Sequence, residues 1–223
     1  MCSSDLQRDR DRVLYAGAFA RLAEITQVVS PEHGYVFHNR LTHSLKVGQI
    51  ARRIAEKCIR DQPNEVEVVG GIDPDAAEAA GFAHDLGHPP FGHVAEYELN
   101  KLVRESGVVD GFEGNAQSFR IVARLATSDA RDEDDKPIRG LNLTVRVLDG
   151  MLKYPWGYQA NSHYADKWGY YSTESEVFDW VRTGRPTLQR SATAEIMDWA
   201  DDITFAIHDF MTCLISIAPG VYR

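Results

Sequence analysis

Apolar residues recur along most of this chain every three or four positions, the period of a helix with one buried face. Residues 8–29 begin RDRDR and continue through Val13, Leu14, Ala18, Phe19, Leu22 and Ile25, which predicts one amphipathic helix. Gly17 within it costs about 1 kcal/mol against alanine and marks a place for a bend or a close backbone contact. In LTHSLKVGQIARRIAEKC, Val47, Ile50 and Ile54 follow His43 at helical spacing, so His43 shares their core-facing side. Asn39 is the predicted N-cap of that helix. Residues 75–85 (DAAEAAGFAHD) predict a helix of small residues, which Gly87, Pro89 and Pro90 then stop. Further helices are predicted over 93–106 (Val94, Tyr97, Leu99, Leu102), 112–126 (Phe119, Val122, Leu125) and 192–212. Between them, 30–40 and 60–74 read as turn-rich connectors and 127–140 as a charge-rich loop. The pattern predicts an all-α helical bundle forming one domain over 1–223, with no internal repeat.

Composition narrows the class. With 43% hydrophobic and 26% charged residues, the chain reads as an ordinary globular domain, and its 223 residues suffice for one sizeable core. A net charge of −9 argues against a general nucleic-acid-coating surface, though not against a local basic groove. The three cysteines, Cys2, Cys58 and Cys213, are widely spaced and form neither a disulfide framework nor a zinc knuckle, which fits a reducing cytoplasm. The start MCSSDLQRDRDR lacks an apolar signal core, and no run approaches the ~18 apolar residues of a membrane span.

Candidate chemistry concentrates in AHDLGHPPFGHVAE, residues 83–96. His84 and Asp85 fall at the inner end of an apolar helix, where a bare carboxylate and imidazole are costly without a partner. A divalent cation (Mg, Mn, Fe, Co, Ni or Zn) is the simplest partner. His43 lies on the core side of its own helix. Asp201 shares a face with Phe205 and His208, and in the pair Asp201–Asp202 one carboxylate must turn inward. A lone core-facing histidine is more often a satisfied core residue. The set His43, His84, Asp85 and Asp201, on three inward-facing helices, favours a metal site. His93 and Glu96 are one turn apart, a spacing that lets a carboxylate polarise an imidazole for proton transfer. Arg40 stands one turn before His43, with a planar fork suited to phosphate oxygens. Gln117, Glu113 and Asn115 open the 112–126 helix, where capping competes with a site role. Asp202 and Asp209 share one face two turns apart, against the plainer reading of a solvated face. Arg8, Arg10, Arg12 and Arg21 form either a basic rim or local pairs with aspartates. The aromatics Tyr154, Trp156, Tyr158, Tyr164, Trp168, Tyr170, Tyr171, Phe178 and Trp180 pack a core, stack on a base or line a subunit interface.

The order His … His-Asp … Asp resembles the HD-domain metal-dependent phosphohydrolases. The words RDRDRVLYAGAFARLAEITQV, HNRLTHSLKVGQIAR, GFAHDLGHPPFGHVAE, GFEGNAQSFRIV, LNLTVRVLDGMLKYPW and ADDITFAIHD resemble, within them, the dGTP triphosphohydrolase family. They run from about Arg8 to Asp209. The resemblance implies an HD-domain bundle with one divalent metal at its centre, held by His43, His84, Asp85 and Asp201. It implies hydrolysis of deoxynucleoside triphosphates, dGTP foremost, to deoxynucleoside and tripolyphosphate. It places His88 and His93 beside the scissile phosphate with Glu96 paired to His93, Arg40 on substrate phosphate and Gln27 on the sugar. Lys153, Tyr154 and Asp209 fall in the pocket. Some relatives carry histidine at Gly114 and tyrosine at Phe205, so those groups are absent here. A homo-oligomer, an allosteric nucleotide and a cytoplasmic location belong to the same expectation. FMTCLISIAPGVYR does not resemble the family, whose members continue further, so the chain reads as truncated or as a divergent short form. Two rivals stand beside this reading: another HD nucleotidase or phosphodiesterase, and a non-catalytic nucleotide-binding module.

Overall fold

The computed structural model describes residues 3–25, 39–131, 134–160, 166–186 and 188–217. Gln27, Tyr164, nearly all of the 30–40 connector and residues 218–223 lie outside them. The regular elements of the described residues are helices and one short hairpin, the α-helices being α1 Ser3–Leu14, α2 Gly17–Ala20, α3 Arg40–Asp61, α4 Pro63–Val68, α5 Pro74–Ala83, α6 Gly92–Glu105, α7 Gly114–Arg120, α8 Val145–Gly150, α9 Ser175–Val181 and α10 Ala192–Ile217. None of these helices is long and apolar enough to cross a membrane.

Helix α5 is the axis of the bundle and packs against α1, α3, α8 and α10. Its start is fixed by Asp73, whose carboxylate accepts from the Asp75 and Ala76 N–H groups, with Pro74 in the first turn. Its small side chains let neighbours come close: Ala76, Ala77, Ala79, Ala80 and Ala83 are all fully buried. The crossing with α3 is tightest at two glycines. A β-carbon on Gly81 would lie 2.7 Å from the Gly48 Cα, and one on Gly48 would lie 2.3 Å from the Phe82 ring. Both distances are far below van der Waals contact, so this crossing requires glycine on each helix. It draws α3, which carries His43, onto the end of α5, which carries His84.

Helix α10 closes the other side of α3, where Ile196 and Ala200 join Val47, Ala51, Ala55 and Ala77 in one apolar cluster. Its outer side leaves Trp199, Ile203, Ile207 and Phe210 exposed. The N-terminal segment supplies Leu6, Val13, Phe19 and Leu22 to the main core. It does so as two helices rather than the single one expected. The chain leaves helical geometry at Ala16 (φ −66°, ψ 139°), and α2 then runs into a 3-10 turn over Arg21–Glu24. That bend turns Phe19 and Leu22 inward, whereas Tyr15 at the corner is exposed. Gly17 has open space where its β-carbon would be, so it permits the bend without a close contact.

Two connectors hold more structure than their polarity suggests. The 60–74 segment contains α4, and the 127–140 loop contains an antiparallel hairpin, β1 Thr127–Arg131 with β2 Pro137–Arg139. The 112–126 helix is α7 followed by a wider π turn over Ile121–Leu125. Three of the N-terminal arginines, Arg10, Arg12 and Arg21, are engaged within the fold. Arg10 and Arg52 share Asp75, Arg12 pairs with Asp9, and Arg21 donates to the Leu86 carbonyl.

Candidate metal and phosphate site

Three side chains converge where α3, the end of α5 and α10 meet. His43 Nε2 lies 2.9 Å from Asp201 Oδ1, and His84 Nε2 lies 3.6 Å from the same oxygen. All three residues are buried, and their donor atoms fall within 4.8 Å of one another. His84 Nδ1 is 2.7 Å from the Gly81 carbonyl. That contact assigns the proton to Nδ1 and leaves the Nε2 lone pair facing Asp201, the tautomer a metal ligand needs. His43 Nδ1 is buried with no hydrogen-bond partner among the described residues. Two imidazole nitrogens and a carboxylate oxygen at this spacing fit a divalent cation of the Mn, Fe, Co, Ni or Zn type.

The electrostatics agree with a site built for positive charge. Burial opposes ionisation of Asp201, yet His84, His43 and Lys153 hold its carboxyl far below the usual range. Burial likewise works against the His84 imidazolium, but Asp201 and Asp85 outweigh it and raise its pKa.

Asp85 stands one contact further out. Both its oxygens lie 2.7 Å from Arg40 Nη1, its Oδ1 is 3.2 Å from His88 Nδ1, and His84 Nε2 is 4.0 Å away. Burial pushes its carboxyl up, but His88, His84 and Arg40 pull it down to about 2. Arg40 itself is buried and also donates from Nη2 to the Pro89 carbonyl. Its guanidinium therefore fixes Asp85 and the turn after it rather than reaching into open space. Burial and the Arg40 charge lower His88 to about 4 against the pull of Asp85, so His88 is a neutral imidazole near neutral pH.

On the next helix, His93 Nδ1 is 3.0 Å from Glu96 Oε2, and the His93 ring is 84% exposed. Glu96 is buried; it accepts from the Gly114 N–H at 2.8 Å and from Lys167 Nζ at 3.2 Å. Burial opposes its ionisation, but His88, Lys167 and the Gly114 N–H hold it down to about 2. Gly114 also makes room for His88, since a β-carbon there would lie 2.6 Å from the imidazole. Position 114 is thus the floor under His88.

The remaining candidates are scattered. Lys153 Nζ lies 3.5 Å from Asp201 Oδ2, and Tyr154 is half-buried beside it in sequence. Phe205 packs its ring 4.6 Å from that of His43. Asp202 and Asp209 are exposed on α10. Gln117 lines a cavity of about 430 Å³ with Phe112, Arg120 and Tyr171, which none of the metal-candidate residues touches.

The structure adds residues that periodicity did not single out. Lys167 bridges Glu96 and Glu113. Glu113 is buried and caps α7 through the Ala116 N–H; burial and the nearby Glu96 push its carboxyl up to about 7 against the pull of Lys167. The Ser118 hydroxyl accepts from the Gly87 N–H and lies 2.7 Å from the His84 carbonyl, so α7 braces the metal turn. Asp198 pairs with Lys153 through one oxygen and with Arg190 through the other. Of these, Glu113 was legible as a candidate cap at the start of its helix, and Asp198 carried a signal as the residue one turn before Asp201.

Residues 40–206 match the HD domain model, and the chain belongs to the HD-domain family. It is 41% identical over 214 residues to a deoxyguanosinetriphosphate triphosphohydrolase-like protein of Corynebacterium glutamicum (strain R), covering 96% of this chain and 46% of that protein. A protein of the same description from Streptomyces coelicolor is 42% identical over 210 residues, 91% of this chain and 45% of its own. Another, from Shewanella sp. (strain ANA-3), is 35% identical over 251 residues, covering 95% and 54%. The chain thus spans about half the length of the curated relatives it matches.

Proposed function

We propose that this chain carries the metal-dependent phosphohydrolase site of a deoxynucleoside triphosphate triphosphohydrolase. Water would add to the α-phosphorus, the bond to the 5′-oxygen would break, and the products would be deoxynucleoside and tripolyphosphate. The observation that carries the reading is the buried His43, His84, Asp201 cluster, with the His93–Glu96 pair on the helix that follows His84 in the chain. The names of the relatives, which say dGTP triphosphohydrolase-like, supply the substrate class.

His43, His84 and Asp201 would hold the cation, with Asp85 next to them and oriented by Arg40. When bound, a divalent ion polarises a phosphoryl oxygen and makes a nearby water more acidic. The protein's own groups do the rest. His93 presents Nε2 to solvent while Nδ1 is bound to Glu96, so it can move a proton between water and the departing 5′-oxygen. Glu96, ionised and fixed by Lys167 and Gly114, keeps that imidazole in one orientation. His88 offers a neutral N–H to phosphate oxygen, and Arg40 serves the site by holding Asp85 and the turn at Pro89 in place. Lys153 and Tyr154 would bound the phosphates and sugar beside Asp201. Gln27, Gln117, Asp202 and Asp209 complete the proposed set of substrate contacts, Gln27 on the sugar. A homo-oligomer and an activating nucleotide belong to the same proposal, as does a cytoplasmic location.

The test is a product assay with each of the four dNTPs in Mg, Mn and Co. Tripolyphosphate and deoxynucleoside are expected, and both should vanish in His84→Ala. Pyrophosphate with a nucleoside monophosphate would instead assign another HD phosphohydrolase activity. Calorimetric dGTP binding with no product would assign a nucleotide-binding module.

A further inference from the structure

Arg190 and Asp198 lie outside the set so far given chemistry. Arg190 sits two residues before α10, and its Nη1 is 2.6 Å from Asp198 Oδ2. The other Asp198 oxygen is 2.5 Å from Lys153 Nζ. That ammonium is in turn 3.5 Å from Asp201 Oδ2. A continuous path therefore runs from Arg190 through Asp198 and Lys153 to the metal-candidate carboxylate. Asp198 and Asp201 are one helical turn apart, so their carboxylates emerge side by side.

Two features make this more than a structural ion network. First, one carboxylate gathers two cations, so Asp198 holds the Arg190 guanidinium and the Lys153 ammonium side by side next to Asp201. A guanidinium and an ammonium sharing one carboxylate stand a few ångströms apart, a spacing that adjacent phosphates of a chain can bridge. Second, the arginine is badly placed for helix stability. It precedes the N-terminus of α10, where the helix dipole disfavours positive charge. Its contacts among the described residues engage Nη1, to Asp198 and at 3.7 Å to Glu195. Its guanidinium lies 5.9 Å from the centre of the Tyr154 ring, and its side chain is 21% exposed. It is thus held in place yet still open to solvent.

We propose that Arg190 binds the outer phosphates of a polyphosphate ligand, and that Asp198 is the positioning residue that holds Arg190 and Lys153 beside Asp201. This rests on the reading of the site as a triphosphate site, and it names the residues that take the phosphates remote from the scissile bond.

The probe is sodium tripolyphosphate, titrated calorimetrically into the full chain in EDTA and again after metal loading. Arg190→Gln should weaken tripolyphosphate about tenfold or more, the loss expected of one charge-assisted contact. Arg190→Lys, which keeps the charge and loses the fork, should fall between. Asp198→Asn should weaken binding as well, and Asp198→Glu should restore it, which a role confined to folding would not produce. In dNTP turnover, Asp198→Asn should raise KM more than it lowers kcat. Circular dichroism melting identifies any variant that fails to fold, and the Arg190→Lys and Asp198→Glu proteins then carry the comparison. Unchanged tripolyphosphate affinity in folded Arg190→Gln overturns the subsite, as does a wild-type chain that binds no tripolyphosphate. The two readings separate cleanly. Arg190-dependent tripolyphosphate binding without dNTP hydrolysis keeps the subsite and removes the proposed activity. Hydrolysis indifferent to Arg190 does the reverse.

Discussion

Asp85 shows how one side chain can be decided by its neighbour. Its two oxygens face the Arg40 guanidinium, and both groups are buried. Removing one member of a buried ion pair strands the other charge in a poor solvent. Arg40→Met should therefore cost about 3–5 kcal/mol, read as a fall in the urea midpoint. A loss within about 0.5 kcal/mol would mean that Asp85 finds another cation at once. Glu113 adds a pH dependence whose sign is fixed by its environment. Its carboxyl is pushed from 4.5 up to about 7, so the folded protein keeps a proton that the unfolded chain has already released. This contribution to stability is complete below the unfolded value and is lost as pH rises through about 7, with a slope of at most ~1.4 kcal/mol per pH unit. Wild type should lose stability relative to Glu113→Gln between about pH 5 and about pH 8. Parallel urea midpoints for the two proteins across that range would refute the burial argument.

At the scale of elements, the decisive object is the glycine crossing of α3 and α5. Gly48→Ala or Gly81→Ala places a methyl group where backbone or the Phe82 ring already stands. Either should cost about 1–3 kcal/mol by overpacking. Because the same crossing sets the His43–His84 ring separation of 5.6 Å, either should also weaken metal binding. Equal Mn titrations for variant and wild type would separate the crossing from the site. This crossing also marks what the sequence could tell. The inward placement of His43 and Asp201 was readable because each sits on an apolar stripe, and both are buried. That α5 would be a helix of small residues was readable from its alanines, but its place as the axis of the bundle was not. That Gly48 and Gly81 touch was not, since periodicity reports which face is inward but not which residues meet across it. The 127–140 hairpin was missed for a related reason: its strands are short and charged, without the apolar alternation that betrays a half-buried sheet. The α1–α2 bend hides for the opposite reason, because the apolar spacing continues through it. Lys167 and Arg190 meet their partners through loops, where no repeat pattern points at a target. His93 and Glu96, only three residues apart, needed no tertiary information.

For the whole molecule, the candidate cation is a staple. His43 and Asp201 are 158 positions apart in the chain, and His84 lies between them at the end of the central helix. A ligand gripping all three joins α3, α5 and α10 only when the bundle is assembled, because the unfolded chain cannot hold these donors together. Such a ligand stabilises the folded state by mass action, by about 2.7 kcal/mol at a hundredfold excess over its Kd. For a domain of this size, each kcal/mol moves the melting temperature by roughly 2–4 °C. Stripping the metal with EDTA should therefore lower Tm by about 5–11 °C, and Mn should restore it. In Asp201→Ala the EDTA and Mn melts should coincide, because the carboxylate shared by both imidazoles is gone. A metal shift that survives in Asp201→Ala would place the cation elsewhere on the protein. No shift in wild type would leave the His43, His84, Asp201 cluster as a buried hydrogen-bonded core, held together by the ion pairs of Asp201 alone.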